Sequence, residues 1–288
     1  MARAIERIER DIAVLEEAIR AIAIELQSAY ASYLSTLGQA ARKQLILASY
    51  HLCTQGYPDK FLSLSLNQRQ QLQQNVRKLG QEASGQLLSN INSEQVEEDE
   101  EDEVDQVDEV DQVDETVTSS LSPVSVSISN PQRFAPNLSN PIELAKWQQN
   151  VEETTQETLK NLSHNANLLL QKSGILPKKL PEPILAAAAA AASEASAEVM
   201  PGPPNLLNLV IAIENEQQSE DSGLTQIMAI NLRLGEIEFA DTTLSSERKQ
   251  IRNILVQLNK LGREYQKRQR ERSVAEAEAA WRASWFED

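Results

Sequence analysis

Residues 2–33 read ARAIERIERDIAVLEEAIRAIAIELQSAYASY, and within them Ile5, Ile8, Ile12, Leu15, Ile19, Ile22, Leu26, Ala29 and Tyr33 recur in steps of three and four. A step that averages 3.5 residues places these positions on one narrow stripe of an α-helix, which water disfavours and a second helix can cover. The stretch therefore predicts a coiled-coil seam and a partner helix. No proline interrupts it, and apolar positions continue through Leu37, Leu45 and Ala48. The helix is expected from about Ala2 to about Tyr50, roughly 70 Å at ~1.5 Å per residue.

Beyond it, Gln55, Gly56, Tyr57, Pro58 and Asp59 predict a turn, because glycine accepts a positive φ and proline cannot continue a helix. Ser65 and Gln68 have the spacing of a capping box, and Leu72, Val76, Leu79, Ala83 and Leu87 mark a second amphipathic helix ending near Ile91. Residues 1–91 thus read as a helical hairpin with a coiled-coil seam. Its second helix is about half as long as the first, so it leaves the isoleucine-rich half bare. Three surfaces can cover that half: a second copy, the C-terminal helix of the same chain, or a different protein. Isoleucine at both a and d favours trimers or higher states in parallel coils, and the stoichiometry stays open.

The composition agrees with long helices: 4% of the 288 residues are aromatic and only 9 are glycine. The formal charge of −16 is local, since fourteen Asp and Glu lie between Glu94 and Glu115 with no Lys or Arg, leaving −2 for the remainder. Such a density of like charge, with Val-Asp-Gln and Val-Asp-Glu triplets from Val104, cannot support a core. Residues 92–140 are expected to be a disordered acidic and Ser/Pro-rich linker. Asn140 and Pro141 then supply an N-cap and a first-turn proline for a lone amphipathic helix over 141–173, ended by Gly174. A Pro/Ala-rich linker over 174–204, with its alanine run Ala186 to Ala192, leads to a C-terminal helical unit over 205–288.

Within that unit, Leu206 to Ile213 fits helix or buried strand. Met228, Ile230, Leu232 and Leu234 alternate at period two, while Leu224, Ile227, Ile230 or Asn231, Leu234 and Ile237 fit a helix. The neighbouring helices favour the helical reading. In the last helix Ile251, Ile254, Leu258, Leu261 and Tyr265 restore the 3-4 spacing. Arg268 and Arg272 take the next two positions, so packing is expected to stop there and the helix to project to Trp281, Trp285 and Phe286. The fold class is all-α and elongated.

A lone cysteine, Cys53, makes no intramolecular disulfide, and the charged, periodic N-terminus lacks a secretory pattern, which implies a cytoplasmic setting. No apolar run approaches the ~20 residues that span a bilayer, though peripheral attachment stays open. His51, Cys53 and His164 are too few for a zinc site, and phosphate loops, G-x-S-x-G and H-E-x-x-H are absent. The sequence therefore points to no enzyme, cofactor, metal or small-molecule substrate. It points instead to assembly or adaptation, with a protein partner or a second copy bound through Ile5, Ile8, Ile12, Leu15, Ile19, Ile22 and Leu26, and through Trp281, Trp285 and Phe286. The alternative is nucleic acid or an anionic membrane bound through Arg263, Lys267, Arg268, Arg270 and Arg272, with the acidic linker as an internal competitor.

Two blocks, SYHLCTQGYPDKFLSLSLNQRQQLQQNVRKLG (Ser49 to Gly80) and LRLGEIEFADTTLSSERKQIRNILVQLNKLGREYQKRQRERSVAEAEAAWRASWFED (Leu232 to Asp288), resemble an uncharacterised family of conserved cyanobacterial helical proteins. The resemblance implies a prokaryotic setting and transfers no activity and no functional residue.

Overall fold

The computed structural model describes residues 2–91, 139–177, 203–212 and 224–285. Helix α1 runs Ala2–His51, about 75 Å at 1.5 Å per residue. It ends in a π-helical turn, Leu52–Gly56, followed by α2 (Pro58–Ser63) and α3 (Leu66–Ser89). Helix α4 spans Pro141–Lys172, an antiparallel hairpin is formed by β1 (Leu206–Ala212) and β2 (Leu224–Ile230), and α5 (Leu234–Ala240) precedes the long α6 (Thr242–Ser284).

The helix ends follow their local chemistry. Ser65 caps α3 through a complete capping box, with Ser65 N donating to Gln68 Oε1 at 2.8 Å and Gln68 N donating to Ser65 Oγ at 3.3 Å. Asn140 Oδ1 accepts from Ile142 N at 3.0 Å with Pro141 in the first turn, and Gly174 leaves α4 with φ +80.

Every long helix packs on α1. α3 returns antiparallel along its C-terminal half, where Gly38 sits against Ser84 and Gly80 against Arg42. α4 runs parallel to α1, bringing Trp147 and Glu152 to Tyr30. α6 runs antiparallel to the N-terminal two thirds, as Glu247 at Ser32, Tyr265 at Glu16 and Arg268 at Asp11 record. One apolar core extends from Ile19 to Leu258 and includes Leu144, Val151, Leu159, Leu162 and Leu170 of α4. The 141–173 helix is therefore not alone, which corrects that expectation, and the two ends of the chain, whose packing the sequence leaves open, share a core. The threonines that dilute the α4 face are absorbed inside the helix, where Thr155 Oγ1 donates to Val151 O at 2.6 Å and Thr158 Oγ1 to Thr154 O at 2.8 Å.

The helical reading of the region 206–239 is also corrected over Leu206–Ala212 and Leu224–Ile230, while Leu234–Ala240 is helix. The first two segments pair as strands, Leu206 opposite Ile230 and Ala212 opposite Leu224. Buried Asn205, at φ +60 after Pro203 and Pro204, turns the chain into β1 instead of starting a helix. The edge of β2 away from β1 is completed by side chains. Tyr57 Oη accepts from Met228 N at 3.0 Å, Asn167 Oδ1 from Ile230 N at 2.9 Å, and Ser163 Oγ from Leu232 N at 2.9 Å. Asn167 Nδ2 donates back to Ile230 O at 2.9 Å, so a buried amide takes the part of a third strand. The expected linker residues 92–138 and 178–202 lie outside the described residues.

Candidate functional site

The seam of α1 is largely enclosed by its own chain. Ile12, Ile19, Ile22, Leu26, Ala29 and Tyr33 are buried, while Ile5, Ile8 and Leu15 are half-buried. Of the three surfaces that sequence leaves open as the cover, the C-terminal helix is the one in place.

Pro141, at the start of α4, lies against Gly262, with a would-be Cβ 3.4 Å from the proline ring. From there toward Ala2, among the described residues only α6 accompanies α1, which makes this end a two-helix stalk. Its seam is thinly covered because α6 offers Arg268, Arg272, Ala275 and Ala279 there instead of leucines. Packing therefore continues past Tyr265, contrary to the sequence expectation, but through arginine. Arg268 Nη1 bonds Glu271 at 2.7 Å and its Nη2 lies 3.7 Å from Asp11, while Arg272 Nε stands 3.5 Å from Glu276. Long arginine stems cover apolar surface while their heads reach carboxylates at the rim.

Within the bundle, at the level of Tyr30 and Tyr33, Arg248 of α6 joins four helices. Its guanidinium bonds Glu152 of α4 through Nη1, and through Nη2 at 3.1 Å. It bonds Glu238 of α5 through Nε at 2.7 Å and Tyr33 Oη through Nη2 at 2.8 Å. Tyr33 Oη donates to Glu238 Oε1 and Tyr30 Oη to Glu152 Oε1, both at 2.6 Å. Burial, opposed by Arg248 and reinforced by the bond to Glu238, holds the Tyr33 phenol above its usual range; burial and Glu152 do the same for Tyr30. All the charged groups have partners, and nothing converges on an open space. Its chemistry is that of a brace.

Cys53 is buried, and burial alone pushes its thiol up to about 11. His164 is exposed on α4 and His51 half-buried beside Tyr50. Among the described residues no three His, Cys, Asp or Glu side chains are grouped to hold a metal. A solvent-open groove of about 280 Å³ between α3 and α4, lined by Asn75, Lys78, Leu79, Glu82, Leu169 and Lys172, directs no buried polar group inward.

The outward face of α6 is different. Lys249, Arg252, Val256, Lys260, Arg263, Lys267, Arg270, Val274, Ala277 and Trp281 follow one another in steps of three and four and are all exposed. This second ladder runs diametrically opposite the buried Ile251, Ile254 and Leu258. It carries six cations and no carboxylate; Glu264, Glu271 and Glu278 repeat along one flank. Among the described residues no carboxylate pairs with any of the six. Trp281 and Trp285, 67% and 66% exposed with centroids 5.9 Å apart, close the row.

The structure thus divides the basic residues singled out in sequence. Arg263, Lys267 and Arg270 belong to the outer ladder, while Arg268 and Arg272 turn to the seam. Lys249, Arg252 and Lys260 were missed as ladder members, although their spacing from Arg263 was readable. Phe286 lies outside the described residues. Compared with family models, curated proteins and solved structures, the chain matches none. Among the described residues no helix is long and apolar enough to cross a membrane.

Proposed function

We propose that this protein is a non-catalytic adaptor that attaches to a polyanionic surface through the outward face of α6, leaving the bundle to carry or engage other proteins. The observation supporting this is the ladder of six cations that no carboxylate of the described residues pairs, held in line by a helix whose other face is fixed to α1. A helix pinned along about 32 Å between Lys249 and Arg270 presents its charges without having to fold on contact. Little ordering entropy then opposes binding. Counterions released from the anionic surface supply the driving force, so affinity falls steeply with salt.

Self-assembly through Ile5 to Leu26 receives less support than it does from the sequence. The apolar area that called for a partner is largely covered by α6. Association with another protein remains a reading of the stalk tip, favoured by the exposed Trp281 and Trp285. The acidic stretch Glu94 to Glu115 is the intramolecular competitor for the same ladder.

The test is retention on a sulfated-polysaccharide resin at low salt, run with the full chain and with a variant lacking residues 94–115. Retention that strengthens on the deletion and vanishes when Lys260, Arg263, Lys267 and Arg270 become glutamate supports the reading. Flow-through of the deletion variant at low salt overturns it.

A further inference from the structure

We infer that the surface taken by α6 is an anionic lipid bilayer, with the cation ladder along the headgroups and Trp281 and Trp285 in the interface. The inference rests on the polyanion reading above and adds the class of partner.

Two observations select lipid over nucleic acid. The ladder from Lys249 to Trp281 runs along one face of α6 over about 48 Å, so a flat sheet of headgroups meets all of it at once, whereas the phosphate strands of a duplex wind about their axis and meet a straight row only at intervals. The non-cationic members of the ladder are Val256, Val274, Ala277 and Trp281, with Val256 68% and Val274 51% exposed. These side chains give nothing to a phosphodiester backbone and suit the boundary between headgroup and acyl chain. Tryptophan in particular settles at that boundary, with an apolar ring and one polar N–H.

The geometry fixes the posture. The rod lies flat on its α6 side, α1 faces away from the membrane, and the tip is held deepest by the tryptophan pair. No span is required, only a peripheral attachment combining charge with a short apolar contact.

The experiment is binding of the full chain to vesicles of phosphatidylcholine alone and of phosphatidylcholine mixed with phosphatidylglycerol, followed by sedimentation and tryptophan emission. Trp147, packed on Tyr30 at 5.5 Å, serves as an internal reference that stays unchanged. The expected result is binding to the mixed vesicles only, with a blue shift quenched by brominated lipid. Replacing Trp281 and Trp285 together by alanine lowers partitioning by about tenfold and removes the shift. Binding to duplex DNA with none to either vesicle overturns the lipid assignment and leaves the polyanion reading standing. Binding to no polyanion overturns both. Vesicle binding with unchanged emission and full affinity in the double tryptophan variant overturns the placement of the tip.

Discussion

Arg248 and Tyr33 meet between α6 and α1, with the guanidinium carbon 4.5 Å from the centre of the phenol ring and Nη2 bonded to its oxygen at 2.8 Å. The contact ties a seam residue of α1 to α4, α5 and α6 through one guanidinium. It also means that Arg248, nominally one of the nine basic residues between Glu247 and Arg272, is withdrawn from the surface. Replacing Arg248 by methionine leaves the half-buried carboxylates of Glu152 and Glu238 without their cation. Loss of one partner costs a fully buried pair about 3–5 kcal/mol, and the lower end of that range is expected here, to be read as a lowered urea midpoint. A variant in which Glu152 and Glu238 also become glutamine should recover part of that loss.

The two buried phenols give the protein an alkaline limit. Tyr30 and Tyr33 are held protonated in the folded chain, whereas an unfolded tyrosine ionises near 10. Their contribution is fully present below that value and is lost as pH rises beyond it, because the unfolded chain then releases protons that the folded chain keeps. Thermal scans should show Tm falling above about pH 10. Phenolate absorbance from these two residues should appear together with unfolding, and the fall should be shallower in the Tyr30→Phe, Tyr33→Phe variant.

Two glycines separate close approach from mere helix weakness. A Cβ on Gly38 would lie 2.3 Å from Ser84 Oγ and 3.0 Å from its Cα, whereas nothing lies within 4 Å of a Cβ on Gly85. Gly38→Ala should destabilise, since overpacking of about 1–3 kcal/mol outweighs the ~1 kcal/mol helix gain. Gly85→Ala should stabilise by about 0.5–1 kcal/mol. Denaturant melts of the two variants should move in opposite directions.

The seam residues should behave as monomer core. Ile19 is fully buried, and Ile19→Ala should cost about 2–5 kcal/mol. Aspartate at both Ile12 and Ile19 should unfold the chain by circular dichroism. If that variant stays folded and merely loses an oligomer in sedimentation, the assignment of α6 as the cover is wrong.

The capping box at Ser65, the N-cap at Asn140 and the apolar 3-4 ladder of α6 were legible in sequence because each depends on residues within a few positions of one another, whereas the outward cation ladder was read only as a cluster of charge at its C-terminal end. The cover of the α1 seam was legible only as a choice among three, since the register of α1 on α6 is set by pairs some two hundred residues apart, such as Ser32 with Glu247. The hairpin escaped for a related reason. Its period was ambiguous, and what stabilises β2 is a set of side-chain partners, Tyr57, Ser163 and Asn167, that no local pattern ties to Met228, Ile230 and Leu232. Glu152, Glu238 and Arg248 looked like ordinary surface charge until three helices brought them together.

The most direct measurement compares two pairs of arginine and lysine substitutions in the full chain lacking residues 94–115, by affinity for anionic vesicles at low salt. Lys267→Gln with Arg270→Gln removes two ladder cations; Arg268→Gln with Arg272→Gln removes two that face the seam. The account predicts a loss of roughly tenfold or more for the first pair and little change for the second, in line with about 1 kcal/mol for each cation near the surface. Equal losses, or a larger loss from the seam pair, would contradict it.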